Sequence, residues 1–209
     1  MNAIAQDQES RFRRRNLDGN TEPLKDWGIN SEYGVLRDVL LGPAETFRWM
    51  TAENAQFSSV VRAAQRDGIQ FDHQVAMRQH REMVDAYEEA GVRVHLHPAQ
   101  EELCYQVYAR DSSFMTPWGA VITSIQTPPR RQDYSVASDF YRNAGIPIWK
   151  WITENHFEGG DFVIAKPGVA LLGWSGDRST REGAEQVAGW MREMDWEAFI
   201  VPIPPQFVH

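Results

Sequence analysis

Gly91 and Gly145 stand 54 residues apart, and each closes an amphipathic helical stretch that runs straight into a short apolar strand. Ahead of Gly91, the residues Phe71, Val75, Met83, Val84, Tyr87 and Ala90 share one helical face. Beyond it, Val92-Arg93-Val94-His95-Leu96-His97 alternates and is stopped by Pro98, the pattern of a strand. Gly145 ends a helix over 132–144, and a strand over 146–152 follows. A third helix opens at Ser179-Thr180-Arg181-Glu182, which has the spacing of a capping box, and carries Ala184, Val187, Ala188, Met191 and Met194 on one face. A strand over 198–203 succeeds it.

Hairpins precede the second and third helices. One pairs 113–116 with 120–123 around Trp118-Gly119; the other pairs 162–165 with 169–173 around Lys166-Pro167-Gly168. A glycine-bounded apolar run, Gly34–Gly42, begins the first unit, and Tyr105–Ala109 also reads as strand. The order strand, strand, helix, strand therefore recurs about every 50 residues, in an α/β chain. Units of this kind bury their apolar faces against neighbours, so three of them leave an open end. The chain is expected to be the front part of a longer enzyme: a polar segment over 1–30, then one domain over 31–209. An ordinary open α/β sheet is the alternative.

Composition narrows the function classes. The chain is 42% hydrophobic with 8 tryptophans, enough for a core, and its net charge of −8 argues against nucleic acid or an anionic membrane as partner. A small cationic ligand suits that charge. A single cysteine, Cys104, excludes an internal disulfide and fits a reducing compartment, so the cytoplasm is expected. The basic cluster Arg11, Arg13, Arg14 and Arg15 has no apolar segment after it, so no secretory signal is read.

Three polar clusters are expected where apolar strands end: Arg110-Asp111, then Glu158-Gly159-Gly160-Asp161, then His209, into which Phe207-Val208 leads like a strand. Asp111 to Glu158 is 47 residues and Glu158 to His209 is 51, about one repeat each time. A ring of repeats would bring all three to one axis. Each also has an ordinary reading: an Arg110–Asp111 ion pair, a glycine turn, a structural histidine. His95 with His97, and His73 with His80, share faces, but no carboxylate or cysteine is placed to complete a metal site, so none is expected. Cys104 suits a buried hydrophobe rather than a nucleophile.

Ala109-Arg110-Asp111, Phe157-Glu158-Gly159-Gly160-Asp161 and Pro204-Pro205-Gln206-Phe207-Val208-His209 resemble the guanidino-group-modifying superfamily of dimethylarginine dimethylaminohydrolases, arginine deiminases and amidinotransferases. The resemblance runs from the Gly34–Gly42 strand to the last residue. It implies an α/β propeller (pentein) of ββαβ units, here incomplete, acting on a small guanidino substrate with no metal or organic cofactor. A homo-oligomer is compatible with it.

By the same resemblance, Asp111 grips the substrate guanidinium, Glu158 holds both His209 and the guanidinium, and His209 is the general acid/base. Arg130, nineteen residues after Asp111, matches the arginine that binds the substrate carboxylate, and Asp161 shapes the loop. The family's nucleophilic cysteine and an aspartate after the histidine have no match here, and are expected beyond the end of this chain. The implied reaction is hydrolysis of a C–N bond of arginine, methylarginine or a related compound through a covalent cysteine thiouronium. An amidinotransferase and a noncatalytic binding propeller are the alternatives.

Overall fold

The computed structural model describes residues 27–49 and 59–204, together with Phe207 and His209. Most of the polar segment expected over 1–30, and Phe57, lie outside the described residues. The first unit comprises β1 (Asp38–Leu41), α1 (Ser59–Arg66), α2 (His73–Glu89) and β2 (Arg93–Leu96). A short helix α3 (Ala109–Ser112) leads into the second unit: β3 (Ser113–Thr116), β4 (Gly119–Ile122), α4 (Asp133–Asn143) and β5 (Ile148–Trp151). The third comprises β6 (Phe162–Lys166), β7 (Val169–Trp174), α5 (Arg181–Glu193) and β8 (Glu197–Pro202).

The two complete units pair alike. β3 is antiparallel to β4, which is parallel to β5; β6 is antiparallel to β7, which is parallel to β8. In the first unit β1 is parallel to β2. Every parallel pair is bridged by a helix, because strands running the same way need a crossover. Local chemistry sets the helix limits. The Asp72 side chain accepts from the Val75 amide at the start of α2, and Gly91 and Gly145 take φ of 78° and 68°, open to glycine without strain, just past the ends of α2 and α4.

α2, α4 and α5 each lie on one face of their own sheet, and the helix-bearing side of the third unit covers the open face of the second. Phe114 and Val121, paired across β3 and β4, pack in one cluster with Phe162, Ile164, Leu172, Val187 and Met191. The Phe114 and Phe162 rings stack with centroids 4.1 Å apart. Burying one such side chain contributes about 1.5–3 kcal/mol. The same register positions in the third unit are Val163 and Leu171, continued by Phe199 across β8. There they are 38%, 37% and 50% exposed.

Several expectations need correcting. Tyr105–Ala109 is not a strand: successive turns, Gln106 to Leu103 and Tyr108 to Tyr105, carry the chain into α3. Its apolar residues serve an aromatic cluster instead, with Phe47 edge-on to Tyr105 and to Tyr108. The first strand occupies only Asp38–Leu41 of the Gly34–Gly42 run. α1 has no counterpart among the expected elements. The capping box is shifted: Thr180, not Ser179, accepts from the Gly183 amide and caps α5.

Candidate active site

The polar clusters lie at strand entrances, not strand ends. Asp111 sits in α3, which runs directly into β3, and Glu158 precedes a 3₁₀ turn, Gly159–Asp161, that runs into β6. β8 closes at Pro202, so His209 follows a strand instead of finishing one. Asp111 and Glu158 thus occupy similar stations in adjacent units whose sheets pack together.

Arg110 fixes those stations to one another. Its Nε donates to the Gly159 carbonyl at 2.9 Å and its Nη2 donates to the Phe162 carbonyl, with Glu32 Oε1 3.5 Å from Nη2. It reaches across to the glycine loop and does not pair with its neighbour Asp111. The loop is pressed against α3: a Cβ on Gly159 would stand 2.1 Å from the Arg110 carbonyl oxygen. On the other side, the Thr123 hydroxyl donates to the Asp111 carbonyl at 2.6 Å.

Within this frame Asp111, Glu158, Asp161 and His209 converge. His209 Nε2 lies 3.4 Å from Asp111 Oδ1 and 3.8 Å from Glu158 Oε2, and its Nδ1 lies 3.3 Å from Asp161 Oδ2. Arg130 is behind Asp111, donating from Nη1 to Asp111 Oδ2 at 2.7 Å. Glu158 is 0% exposed, and among the described residues neither of its carboxylate oxygens has a hydrogen-bond partner. Its amide donates to the Ser179 hydroxyl at 3.0 Å.

Burial raises the Asp111 carboxyl, but the hydrogen bond with His209 and the Arg130 charge outweigh it and hold the group below its usual range. Glu158 goes the other way. Burial, then the Asp111 charge, push it up to about 7 against the pull of Arg178, Arg130 and His209. Burial opposes the charge on His209, yet its bonds to Asp111 and Asp161 win and raise it to about 9. Near neutrality the cluster therefore holds an ionised Asp111, a protonated His209 and a half-titrated Glu158.

The donors of Asp111, Glu158 and His209 lie within 4.8 Å of one another, close enough to converge on one cation. Two fixed cations already border them: Arg130 on Asp111, and Arg178, whose Nη1 is 4.0 Å from Glu158 Oε2. A singly charged guest with several N–H donors matches this charge balance better than a bare divalent ion. The other histidines disperse. His95 bonds Asp38, His73 and His80 bond the Glu45 and Gly42 carbonyls, and His156 bonds Ser124. His97 is buried, and burial lowers it to about 4. Burial raises the Cys104 thiol, which disfavours its thiolate.

Arg178, Ser179 and Asp133 were not singled out by sequence. Arg178 had a signal: it follows Glu158 by 20 residues, much as Arg130 follows Asp111 by 19. The two glycines have separate tasks. A Cβ on Gly160 would come within 2.6 Å of the His209 ring, whereas Gly159 meets backbone. Gly160→Ala is expected to displace the imidazole and lower its titration from about 9 toward 6.5, with the thermal midpoint lowered at pH 6.5 and below and little changed above pH 9. NMR titration of the imidazole checks this; an unshifted His209 would place its ring elsewhere than over Gly160.

With this geometry in view, comparison with known proteins is informative. The chain belongs to the guanidino-group-modifying superfamily. Within it the chain is a member of the arginine deiminase family, whose profile matches residues 50–201. An uncharacterized protein of Bacillus subtilis (strain 168), YkgA, is 29% identical over 138 residues, covering 64% of this chain and 44% of that protein. Our chain thus spans less than half of that relative. Dimethylarginine dimethylaminohydrolase from Pseudomonas aeruginosa, solved with citrulline, superposes with a TM-score of 0.66 at 18% identity, covering 81% of this chain and 62% of that one. SxtG, an amidinotransferase of saxitoxin biosynthesis from Microseira wollei, gives 0.66 at 16%, over 87% and 66%. The N-terminal domain of the cyanobacterial arginine dihydrolase ArgZ, bound to product, gives 0.66 at 15%, over 84% and 61%. These likenesses show a shared mixed α/β fold. No helix among the described residues is long and apolar enough to cross a membrane.

Proposed function

We propose that these residues hold the guanidinium of arginine, methylarginine or a related compound in a C–N hydrolase that works through a covalent cysteine thiouronium. The observation that carries this reading is Glu158: a fully buried carboxylate whose oxygens have no hydrogen-bond partner among the described residues, beside an ionised Asp111. A guanidinium is planar, with N–H donors in a fixed fork that carboxylates accept in pairs. Gripped by Asp111 and Glu158, its carbon is held for attack from one face.

In the proposed sequence a thiolate adds to that carbon, and the departing amine takes the proton from His209 as the C–N bond breaks. The neutral imidazole then accepts a proton from water. Hydroxide adds to the thiouronium carbon, the C–S bond breaks, the added hydroxyl gives its proton to solvent, and a neutral ureido product and the thiolate are released. Cys104 is held as a thiol, so the proposal takes its nucleophile from outside these 209 residues. An amidinotransferase would use the same grip with an amine in place of water. The ββαβ units are then blades of an α/β propeller, and the acidic, cysteine-poor chain suits the cytoplasm.

The reading is tested by titrating this chain calorimetrically with L-arginine, methylarginine and uncharged citrulline. The two cations are expected to bind, citrulline at least tenfold more weakly, for want of the ionic contact. Binding should release protons near pH 7, because the guest draws Glu158 into its charged form; buffers of different ionisation enthalpy reveal this. Failure of every guanidino compound to bind between pH 6 and 9 would remove the proposal. Citrulline formation from arginine by this chain, abolished in Cys104→Ala, would reassign the nucleophile. For the full-length protein, product analysis with and without glycine separates hydrolase from transferase.

A further inference from the structure

We infer that Glu32 is a positioning residue of this site. Its carboxylate, reaching in from the segment ahead of β1, takes the Ile164 amide and the Arg110 guanidinium together, and so holds the turn beside Glu158 against the helix that carries Asp111. The inference deepens the proposed function and relies on it only for the identity of the ligand.

β6 is an outer strand of its sheet, in the order β6-β7-β8, so among the described residues one of its edges has no strand beside it. In an antiparallel pair, alternate residues turn their peptide groups to the partner and the residues between turn theirs away. Two groups on the open edge are taken up by side chains. The Phe162 carbonyl accepts from Arg110 Nη2, and the Ile164 amide donates to Glu32 Oε1 at 3.3 Å. The same Glu32 oxygen lies 3.5 Å from Arg110 Nη2. A cation and an anion thus stand where a neighbouring strand would put its own N–H and C=O.

Glu32 is brought there by its own segment. Ile29, three residues earlier, packs against the cluster that contains Phe114 and Phe162, whereas Tyr33 and Val35 just beyond are exposed. The approach to β1 is therefore tied down at Ile29 and Glu32. Among the described residues, Glu32 is the carboxylate within ion-pair distance of Arg110. The other acceptors of Arg110 are neutral carbonyls, Gly159 at 2.9 Å from Nε and Phe162. A contact with a charged acceptor holds a guanidinium more firmly than one with a carbonyl. Without Glu32, the guanidinium can leave those carbonyls for water, and Asp111 and Glu158 are less firmly held to one spacing. The pair is partly open, with Arg110 44% and Glu32 37% exposed, so solvent and salt limit its strength.

The test compares the wild type with Glu32→Gln and Glu32→Ala. L-arginine is titrated calorimetrically, and NMR follows the His209 titration, the Arg110 Nε–H signal and exchange of the Ile164 amide. Glutamine keeps an acceptor for that amide but loses the charge facing Arg110. In Glu32→Gln the Arg110 Nε–H is expected to exchange faster and His209 to titrate below its wild-type value. Arginine should bind roughly three- to fivefold more weakly, as the loss of a partly exposed ion pair allows. Ile164 should stay protected. In Glu32→Ala the same changes should appear, and the Ile164 amide should exchange faster as well.

Unchanged arginine affinity and an unchanged His209 would overturn the inference, whatever the thermal midpoint does, because they mark Glu32 as a structural tie. So would weaker binding with an unchanged Arg110 Nε–H signal, since Glu32 would then act by another route. If Glu32→Ala does not fold, Glu32→Gln decides alone. If the wild type binds no guanidino compound the proposed function fails, and the His209 and Arg110 signals still judge Glu32.

Discussion

A Glu158→Gln variant is expected to melt at a higher temperature than the wild type at pH 8, and to have lost most of its affinity for guanidino compounds. Glu158 is fully buried, its carboxylate has no hydrogen bond among the described residues, and it is pushed up to about 7 from 4.5. The folded protein therefore binds this proton more tightly than the unfolded chain does. The Glu158 contribution to stability falls as pH rises from 4.5 to about 7, and levels off above that. At 1.36 kcal/mol per pH unit, the ionised carboxylate costs about 3 kcal/mol at pH 8. Glutamine cannot ionise, so it recovers about 1–3 kcal/mol, less what its amide lacks in partners. Melting curves at pH 8 and pH 4.5 check this: the gain should be present at the first and absent at the second. His209, raised to about 9, bends the curve the same way at higher pH, its contribution being full below 6.5 and lost through 9. The loss of affinity should be on the order of a hundredfold, as two bonds to a charged acceptor are weakened.

Asp111→Asn should also lose the ligand, but with the opposite effect on stability. Asp111 is the partner of a buried arginine at 2.7 Å, and deleting one member of a buried pair costs roughly 3–5 kcal/mol because the other charge stays behind. Chemical denaturation at pH 7 should show that loss. Because the folded carboxyl lies below its usual value, the loss should shrink as pH falls below about 3.8. A variant as stable as the wild type would mean that Asp133 alone satisfies Arg130. If the loss is found, the two carboxylates of one cluster are separated by function: Glu158 held at a cost for its guest, Asp111 held as part of the structure.

The three long helices and both hairpins were legible in the sequence because local chemistry marks them: the Ser179-Thr180 cap, Gly91 and Gly145 at positive φ, Gly168 in its turn. Tyr105–Ala109 misled because a short apolar run looks alike in a strand and in a turn docked on an aromatic cluster; Phe47, which decides it, is remote in sequence. Equal spacing brought Asp111, Glu158 and His209 to notice. The same spacing said nothing of which way Arg130 faces, a matter of its bonds to Asp111, Asp133 and the Tyr108 carbonyl. Asp133 and Ser179 stayed hidden for a shared reason. An acid in a first helical turn and a serine in a capping box already have ordinary local explanations, so neither looked unusual.

The reach of Arg110 to the Gly159 and Phe162 carbonyls has a consequence for descent. The Arg-Asp pair and the Glu-Gly-Gly-Asp stretch lie 47 residues apart in sequence, yet they form one mechanical part. A lineage that replaced Gly159 would force the Arg110 backbone aside, and with it the adjoining Asp111. One that lost Arg110 would loosen the turn on which Glu158 and Asp161 stand. Neither motif is free to drift without the other, so they should be inherited, altered or abandoned together.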